Sequence, residues 1–266
     1  MNVLRIAADN ETRASGALTW VTASLPGTLE LVTDRADIHA VNGTAGWTER
    51  ASQVLLAGAS GVVVVAPEAE QIDALCKTAA EQNALVILDQ RWRANPVLTE
   101  ARDAVSSLEG PISFAEIAVN VPTTEDVEKA IHETVQIAHY LMGAVEDLRV
   151  LHRQSRTVLL GGMVRNGAPL TITIAVGPAI DGPVRVRVVA RFGGVHLSVP
   201  DPETAAPGLV TIVHTDGSTT LPSRWESAHR ASWRRVVAAV ESGDRPDDLR
   251  DFDEASQLLF TRASLA

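Results

Sequence analysis

Apolar positions in the first hundred residues come in short β-rich runs separated by longer helical spacings. This is the alternation expected of a parallel sheet with crossover helices. Residues 3–8 read as a first strand, and residues 14–24 as a helix stopped by Pro26-Gly27. A second strand over 29–33 ends at Asp34, and the turn-rich stretch 41–46 leads into a helix over 48–56. The run Gly61-Val-Val-Val-Val-Ala-Pro is a third strand, apolar on both faces as a central parallel strand should be. A helix over 68–83, a fourth strand over 84–89 and a helix over 96–108 complete this half.

After Gly110-Pro111 the pattern changes. A strand over 112–121 precedes a long helix over 125–142, opened by Thr123-Thr124 and carrying Val127, Ile131, Val135 and Ala138 on one stripe. Strands then dominate, at 147–152, 157–165, 170–176, 184–192, 195–199 and 209–214. They are punctuated by the hairpin signals Asn166-Gly167, Asp181-Gly182, Gly193-Gly194 and Asp216-Gly217. Helices over 226–241 and 253–264 follow. The strand pattern sets Val184, Val186 and Val188 on one face and Arg185 and Arg187 on the other, so one sheet face is to be covered and the other left open. The fold class expected is α/β plus α+β: a truncated Rossmann-like domain over 1–96, then an open-faced, mostly antiparallel sheet with helices over 97–266.

Composition narrows the function classes. With 266 residues, 45% apolar and 21% charged, the chain can bury a core without staples. Its longest apolar run, residues 61–66, is far short of a membrane span, so no membrane partner is expected. The net charge of −10 argues against a nucleic-acid partner, although Arg224, Arg230, Arg234 and Arg235 concentrate locally. Cys76 is the only cysteine, which excludes an internal disulfide, and the first ten residues do not form a secretory signal, so a cytoplasmic location is expected. Lys77 and Lys129 are the only lysines.

Candidate chemistry is sparse. No Gly-x-Ser-x-Gly elbow, phosphate-binding loop with lysine, Cys-x-x-Cys pair or His-Glu-x-x-His occurs, so hydrolase and kinase classes have no support. His132, Gln136 and His139 share one face of the long helix with Glu133 beside them. They form a polar stripe without a further recognisable metal ligand, and no metal is expected. Arg91, Trp92 and Arg93 follow the fourth strand, at the edge where open α/β sheets bind ligands. Two guanidiniums beside an indole suit a sugar-like or anionic molecule, or else bridge two domains.

The segments Gly61-Val-Val-Val-Val-Ala-Pro, Asp89-Gln-Arg-Trp-Arg-Ala-Asn-Pro, His139-Tyr-Leu-Met-Gly and Ser232-Trp-Arg-Arg-Val-Val-Ala-Ala-Val-Glu-Ser-Gly-Asp-Arg-Pro, in this order, resemble the Gfo/Idh/MocA family over nearly the whole chain. The resemblance implies NAD(P)-dependent dehydrogenation of sugars or cyclitols, a Rossmann domain, and subunit association through the open sheet face. The departures are informative. The turn after the first strand, Ala7-Ala8-Asp9-Asn10-Glu11-Thr12-Arg13, has no glycine before Gly16 and sets acids where a diphosphate belongs. Asp34 stands where the family holds the ribose and is expected to be a remnant. The family's catalytic lysine is absent, and the spacing from Pro67 to Arg91 implies a lost βα unit. Counting back from Tyr140, the family's helix pattern falls on Lys129, Glu133 and Gln136; a one-residue bulge would bring Glu128 and His132 into place instead. Glu133, His132 and Gln136 are therefore the weak catalytic candidates. Arg91, Trp92 and Arg93 are the ligand-binding ones, and a site in the cleft between the two domains would be lined by both sets. The expectation is a binding, regulatory or partner subunit without a cofactor, forming a homo-oligomer or a heteromer with an intact homologue. The alternative is an active NAD(P)-dependent sugar or cyclitol dehydrogenase.

Overall fold

The computed structural model describes residues 3–14, 18–178, 182–204 and 206–263. Residues 15–17, near the start of the first expected helix, Asp181 of one hairpin signal and residue 264 lie outside these. The elements in chain order are β1 (Leu4–Ala8), α1 (Asn10–Ala14), α2 (Leu18–Ser24), β2 (Leu29–Val32), β3 (Ile38–Asn42), α3 (Trp47–Leu56), β4 (Gly61–Val65), α4 (Asp73–Glu81), β5 (Leu85–Asp89), α5 (Pro96–Ser106) and β6 (Ile112–Val121). There follow α6 (Val127–Met142), β7 (Val145–Gln154), β8 (Thr157–Val164), β9 (Pro169–Val176), β10 (Val184–Ala190), β11 (Gly193–Val199), β12 (Leu209–His214), β13 (Gly217–Thr220), α7 (Ala228–Ser242) and α8 (Asp248–Ala263).

The chain divides into two compact units, Met1–Ala94 with Ala228–Ser256, and Asn95–Ser227 with Gln257–Ala266. The first is built on a five-stranded sheet of order β2-β1-β3-β4-β5, parallel throughout. Period-two alternation divides the buried valines of β4 between its faces. Val63 and Val65 join Ile6, Leu18, Val21, Ile38 and Trp233 on one side, and Val62 and Val64 join Trp47, Leu55, Leu75 and Phe252 on the other. Each such valine contributes roughly 1.5–3 kcal/mol by leaving water. Trp233 and Phe252 come from α7 and α8, so Ala228–Ser256 groups with the first unit, whereas the boundary expected at 96/97 puts all of 97–266 in the second domain.

The strand Ile38–Asn42 is missed by the sequence pattern, because its last residues run into turn formers. Gly43 makes that junction possible: a Cβ there would lie 2.4 Å from Pro67 Cα, where the loops after β3 and β4 pass each other. The link from β2 to β3 is unusual. Parallel neighbours normally need a crossover of a dozen residues, yet only residues 33–37 separate these strands. Register explains it: Leu31 and Ile38 both pair with Ile6, so the chain only has to cross β1 sideways. Two strand spacings are about 10 Å, well within the ~20 Å that six residues can reach. Between Pro67 and Arg91 the chain forms α4 and β5, the single helix and strand read from the sequence.

The second unit carries an eight-stranded sheet of order β13-β12-β11-β10-β6-β9-β8-β7, antiparallel except for the β6–β9 pair. As the alternation predicts, Val184, Val186 and Val188 are buried and Arg185 and Arg187 exposed. Two hairpin signals act differently from expectation. β9 and β10 both flank β6 instead of pairing, so Asp181-Gly182 does not join a hairpin. Gly193 and Gly194 lie inside β11, where a Cβ on Gly193 would meet Val213 O at 2.4 Å; the turn itself is Arg191-Phe192. Asp216-Gly217 leads to β13, four exposed residues without an apolar pattern to betray them.

Candidate functional site

In a parallel sheet, ligands bind beyond the carboxyl ends of the strands where the chain order reverses. Here that point is β1, with β2 on one side and β3 on the other. A cavity of about 530 Å³ opens there, lined by Ala8, Asp9, Thr33, His39, Arg50 and Gln53 among others. Arg50, on α3, is held by backbone oxygens. Its Nη1 donates to Ala45 O at 2.8 Å, and its Nη2 to Asn42 O at 2.9 Å and Thr44 O at 2.6 Å. These carbonyls fix the guanidinium without neutralising it. Partial burial pushes the imidazole of His39 below the ordinary histidine range, because desolvation disfavours its protonated form. Arg13 ties the ends of β1 and β2 together, its Nε donating to Ala8 O at 3.0 Å and its Nη2 to Val32 O at 3.2 Å.

The turn after β1 behaves as its composition suggests. The Asp9 carboxylate accepts from the Thr12 amide at 2.6 Å, so the chain's own acid caps α1. That backbone hydrogen bond holds the Asp9 carboxyl below its usual range, and Arg50 adds to the effect. Glu11 accepts from Asn42 Nδ2 at 3.2 Å. Asp34 is exposed beyond the end of β2; its carbonyl, not its carboxylate, accepts from Arg5 Nη2 at 3.3 Å.

A different arrangement closes the end of β5. Asp89 is fully buried, its Oδ1 2.8 Å from His229 Nδ1 and its Oδ2 accepting from Trp233 Nε1 at 3.2 Å. The neighbouring Trp92 is 2% exposed with the Arg91 guanidinium 5.6 Å from its ring centroid, while Arg93 pairs with Asp251 at 2.9 Å. Of the Arg91-Trp92-Arg93 turn, Arg93 thus serves an internal ion pair. Arg224 and Arg235 of the basic segment likewise bond to Glu100 and Asp248.

In the second unit, α6 is an unbroken α-helix, so the bulge that would shift its register is not there. His132, Glu133 and Gln136 are all buried, and His132 Nδ1 lies 3.0 Å from Gln136 Nε2. His139 instead accepts the Val145 amide at 3.0 Å through Nε2, fastening the turn into β7. Lys77 reaches Glu81 on the surface at 3.9 Å. Among the described residues no group of three His, Cys, Asp or Glu side chains is placed to hold a metal ion, and no helix is long and apolar enough to cross a membrane.

His39, Arg50 and the Asp89–His229 pair are absent from the sequence-based candidates. The first two border a crevice that exists only once β3 is recognised, and the last joins residues 140 positions apart.

No family profile matches the sequence, and no curated protein matches it. Solved structures do. A 3-ketoreductase of Actinomadura kijaniata, KijD10, in complex with NADP and TDP-benzene, superposes with a TM-score of 0.74 at 16% identity, covering 97% of this chain and 96% of that one. An oxidoreductase of Agrobacterium radiobacter, in complex with NAD+, L-tartaric acid and magnesium, gives 0.71 at 10% identity over 97% and 94%. The chain therefore shares the fold of these two proteins over nearly its whole length, a parallel Rossmann-like sheet followed by a mostly antiparallel one, as the resemblance implies. The expectation that no nicotinamide cofactor is bound is overturned: structures sharing the fold end to end hold NADP or NAD+.

Proposed function

We propose that the protein is a nicotinamide-dependent oxidoreductase acting on an alcohol or ketone of the sugar or cyclitol type. The observation that carries this reading is the cavity of about 530 Å³ at the β1/β3 switch point, of a size for small-molecule ligands, in a fold found with NADP and NAD+ bound. The residues there fit a nucleotide. Arg50 supplies a fixed cation, Thr33 and Gln53 supply hydrogen-bonding side chains, and Asp34 stands at the end of β2 for the ribose hydroxyls. The nicotinamide, when bound, supplies hydride transfer. The chain must then hold or accept the proton of the substrate hydroxyl. Glu133 is the group we assign to this, with Gln136 keeping His132 in one orientation through the 3.0 Å contact. Arg91, beside Trp92, is the assigned donor to substrate oxygens.

Titration calorimetry with NAD+, NADH, NADP+ and NADPH tests the reading. Saturable binding of one of them tighter than ~100 μM, about −5.5 kcal/mol, is expected. No binding of any of the four overturns it. With a substrate in hand, Glu133→Gln should lower kcat by ~10²-fold or more while cofactor affinity is unchanged.

The open face of the second sheet is read as the surface for a second copy or an intact homologue. Arg185, Arg187 and His196 line a shallow cavity of about 430 Å³ there beside Glu116, a mixture of charges that can complement itself across a two-fold axis. A monomer at every concentration in sedimentation equilibrium overturns the homo-oligomer.

A further inference from the structure

We propose that Asp9 is a built-in competitor for the anionic part of the ligand at the β1/β3 cavity, and that Arg50 is the cation that ligand must win. The inference rests on the nucleotide reading above and names the groups that set its affinity. Both residues line the same cavity. Arg50 is pre-positioned by the carbonyl oxygens of Asn42, Thr44 and Ala45, all neutral, so its charge is available to an anion in the cavity without rearrangement. The charge already facing it is Asp9, which the Thr12 amide holds in place and keeps ionised.

A diphosphate entering at the carboxyl end of β1 meets both this carboxylate and the guanidinium. In dinucleotide sites of the usual kind the backbone amides after the first strand face the phosphates directly. Here Asp9 has taken one of those amides for itself, and α1 is only one turn long. The work of holding an anion therefore passes from backbone amides to the Arg50 side chain, with Asp9 as the group that yields. Glu11, the next acid along, is engaged with Asn42 Nδ2 and does not line the cavity, which gives an internal control.

Calorimetric titration of the full chain with ADP, inorganic pyrophosphate and the four nicotinamide cofactors tests the proposal. Asparagine caps a helix as well as aspartate does, so Asp9→Asn removes the charge and keeps the turn. It should bind ADP about tenfold more tightly than the natural chain. Arg50→Gln should bind ADP about tenfold more weakly and lose most of the salt dependence, while Glu11→Gln should change affinity less than twofold. If Asp9→Asn tightens ADP but no variant binds any of the four nicotinamide cofactors, the competitor role stands and the nicotinamide reading falls. Binding of NADP+ and ADP with equal affinity to the natural chain and Asp9→Asn leaves the nicotinamide reading intact and overturns this one. Equal tightening by Asp9→Asn and Glu11→Gln also overturns it, since a general loss of negative charge would then suffice. Failure of every variant to bind ADP, pyrophosphate or any of the four nicotinamide cofactors overturns both. Circular dichroism of Arg50→Gln guards against a loop that has come apart; if it has, Arg50→Lys, which keeps the charge, should retain at least half of the ADP affinity.

Discussion

Two aspartates end strands of the same parallel sheet, and their surroundings could hardly differ more. Asp89 closes the edge strand β5 and is fully buried, both carboxylate oxygens held by His229 and Trp233 of α7. Asp9 closes the inner strand β1, is exposed, and spends its carboxylate on the first turn of the next helix and on the field of Arg50. The position in the topology is the same, so the partner decides the role. Where a distant segment returns to cover a strand end, the acid becomes architecture. Where the short β2–β3 link leaves the strand ends open, the acid lines a cavity.

The sharpest test of this contrast is removal of each acid. Asp89→Ala leaves the His229 and Trp233 donors in a dry interior, and breaking a buried pair from one side costs about 3–5 kcal/mol. Chemical denaturation should show that loss, with α7 released from the sheet and Trp233 fluorescence altered. A loss below ~1 kcal/mol would mean that Asp89 is no more structural than Asp9. A smaller but related effect is expected at Asp248. Its Oδ2 accepts the Leu88 amide at 3.0 Å on the outer edge of β5, and its Oδ1 bonds to Arg235. Asp248→Ala should cost roughly 1–3 kcal/mol by leaving that edge amide without its acceptor. An unchanged denaturation midpoint would show that water replaces it freely.

How far these roles are legible in the sequence depends on how local they are. The strands of both sheets follow from runs such as Gly61-Val-Val-Val-Val and the alternation Val184-Arg-Val-Arg-Val, because burial on two faces or one writes itself into neighbouring residues. Strand β3 escapes notice because only Ile38, Ala40 and Val41 are apolar before the turn formers begin. The parallel β6–β9 pairing escapes because no hairpin signal announces it. At the site, the acids after β1 are visible at once, and their capping role follows from spacing alone: Asp9 stands three residues before the Thr12 amide. The neighbours that give them meaning come from elsewhere. Arg50 reaches the cavity from the far side of β3, and His229 reaches Asp89 across 140 residues. The absence of glycine between Ala8 and Arg13 removes one way of holding phosphate and leaves a side-chain cation as another.

At Asp9 itself the expected stability effects are modest. Asp9→Ala removes a helix cap on an exposed turn and should cost about 0.5–1 kcal/mol, whereas Asp9→Asn should stay within a few tenths. The pH dependence separates them further. The folded-state carboxyl of Asp9 lies below its unfolded value of 3.8, so its contribution is complete above that pH and is lost as the pH falls through the folded value. Thermal scans between pH 5 and 2 should therefore show a shallower acid loss in Asp9→Asn than in the natural chain. Identical acid limbs would show that ionisation of Asp9 adds nothing to stability.

The smallest expected effect lies across the cavity from Asp9. Burial lowers the folded-state pKa of His39 below its ordinary value of 6.5. Between the folded value and 6.5 the unfolded chain binds a proton that the folded chain refuses, so stability falls as the pH is lowered through this window and is level below it. His39 is partly exposed, so solvent screens the effect and the slope should be slight. Replacing His39 by Gln keeps a polar side chain that does not titrate and should flatten the melting temperature between pH 6.5 and 5, leaving the acid limb of Asp9 untouched. If a nucleotide fills the cavity, the imidazole is screened further from water and the slope in the natural chain should steepen with saturating ADP, but not in His39→Gln. A slope that ADP leaves unchanged in both proteins would place the bound nucleotide away from His39, and with it away from this side of the β1/β3 crevice.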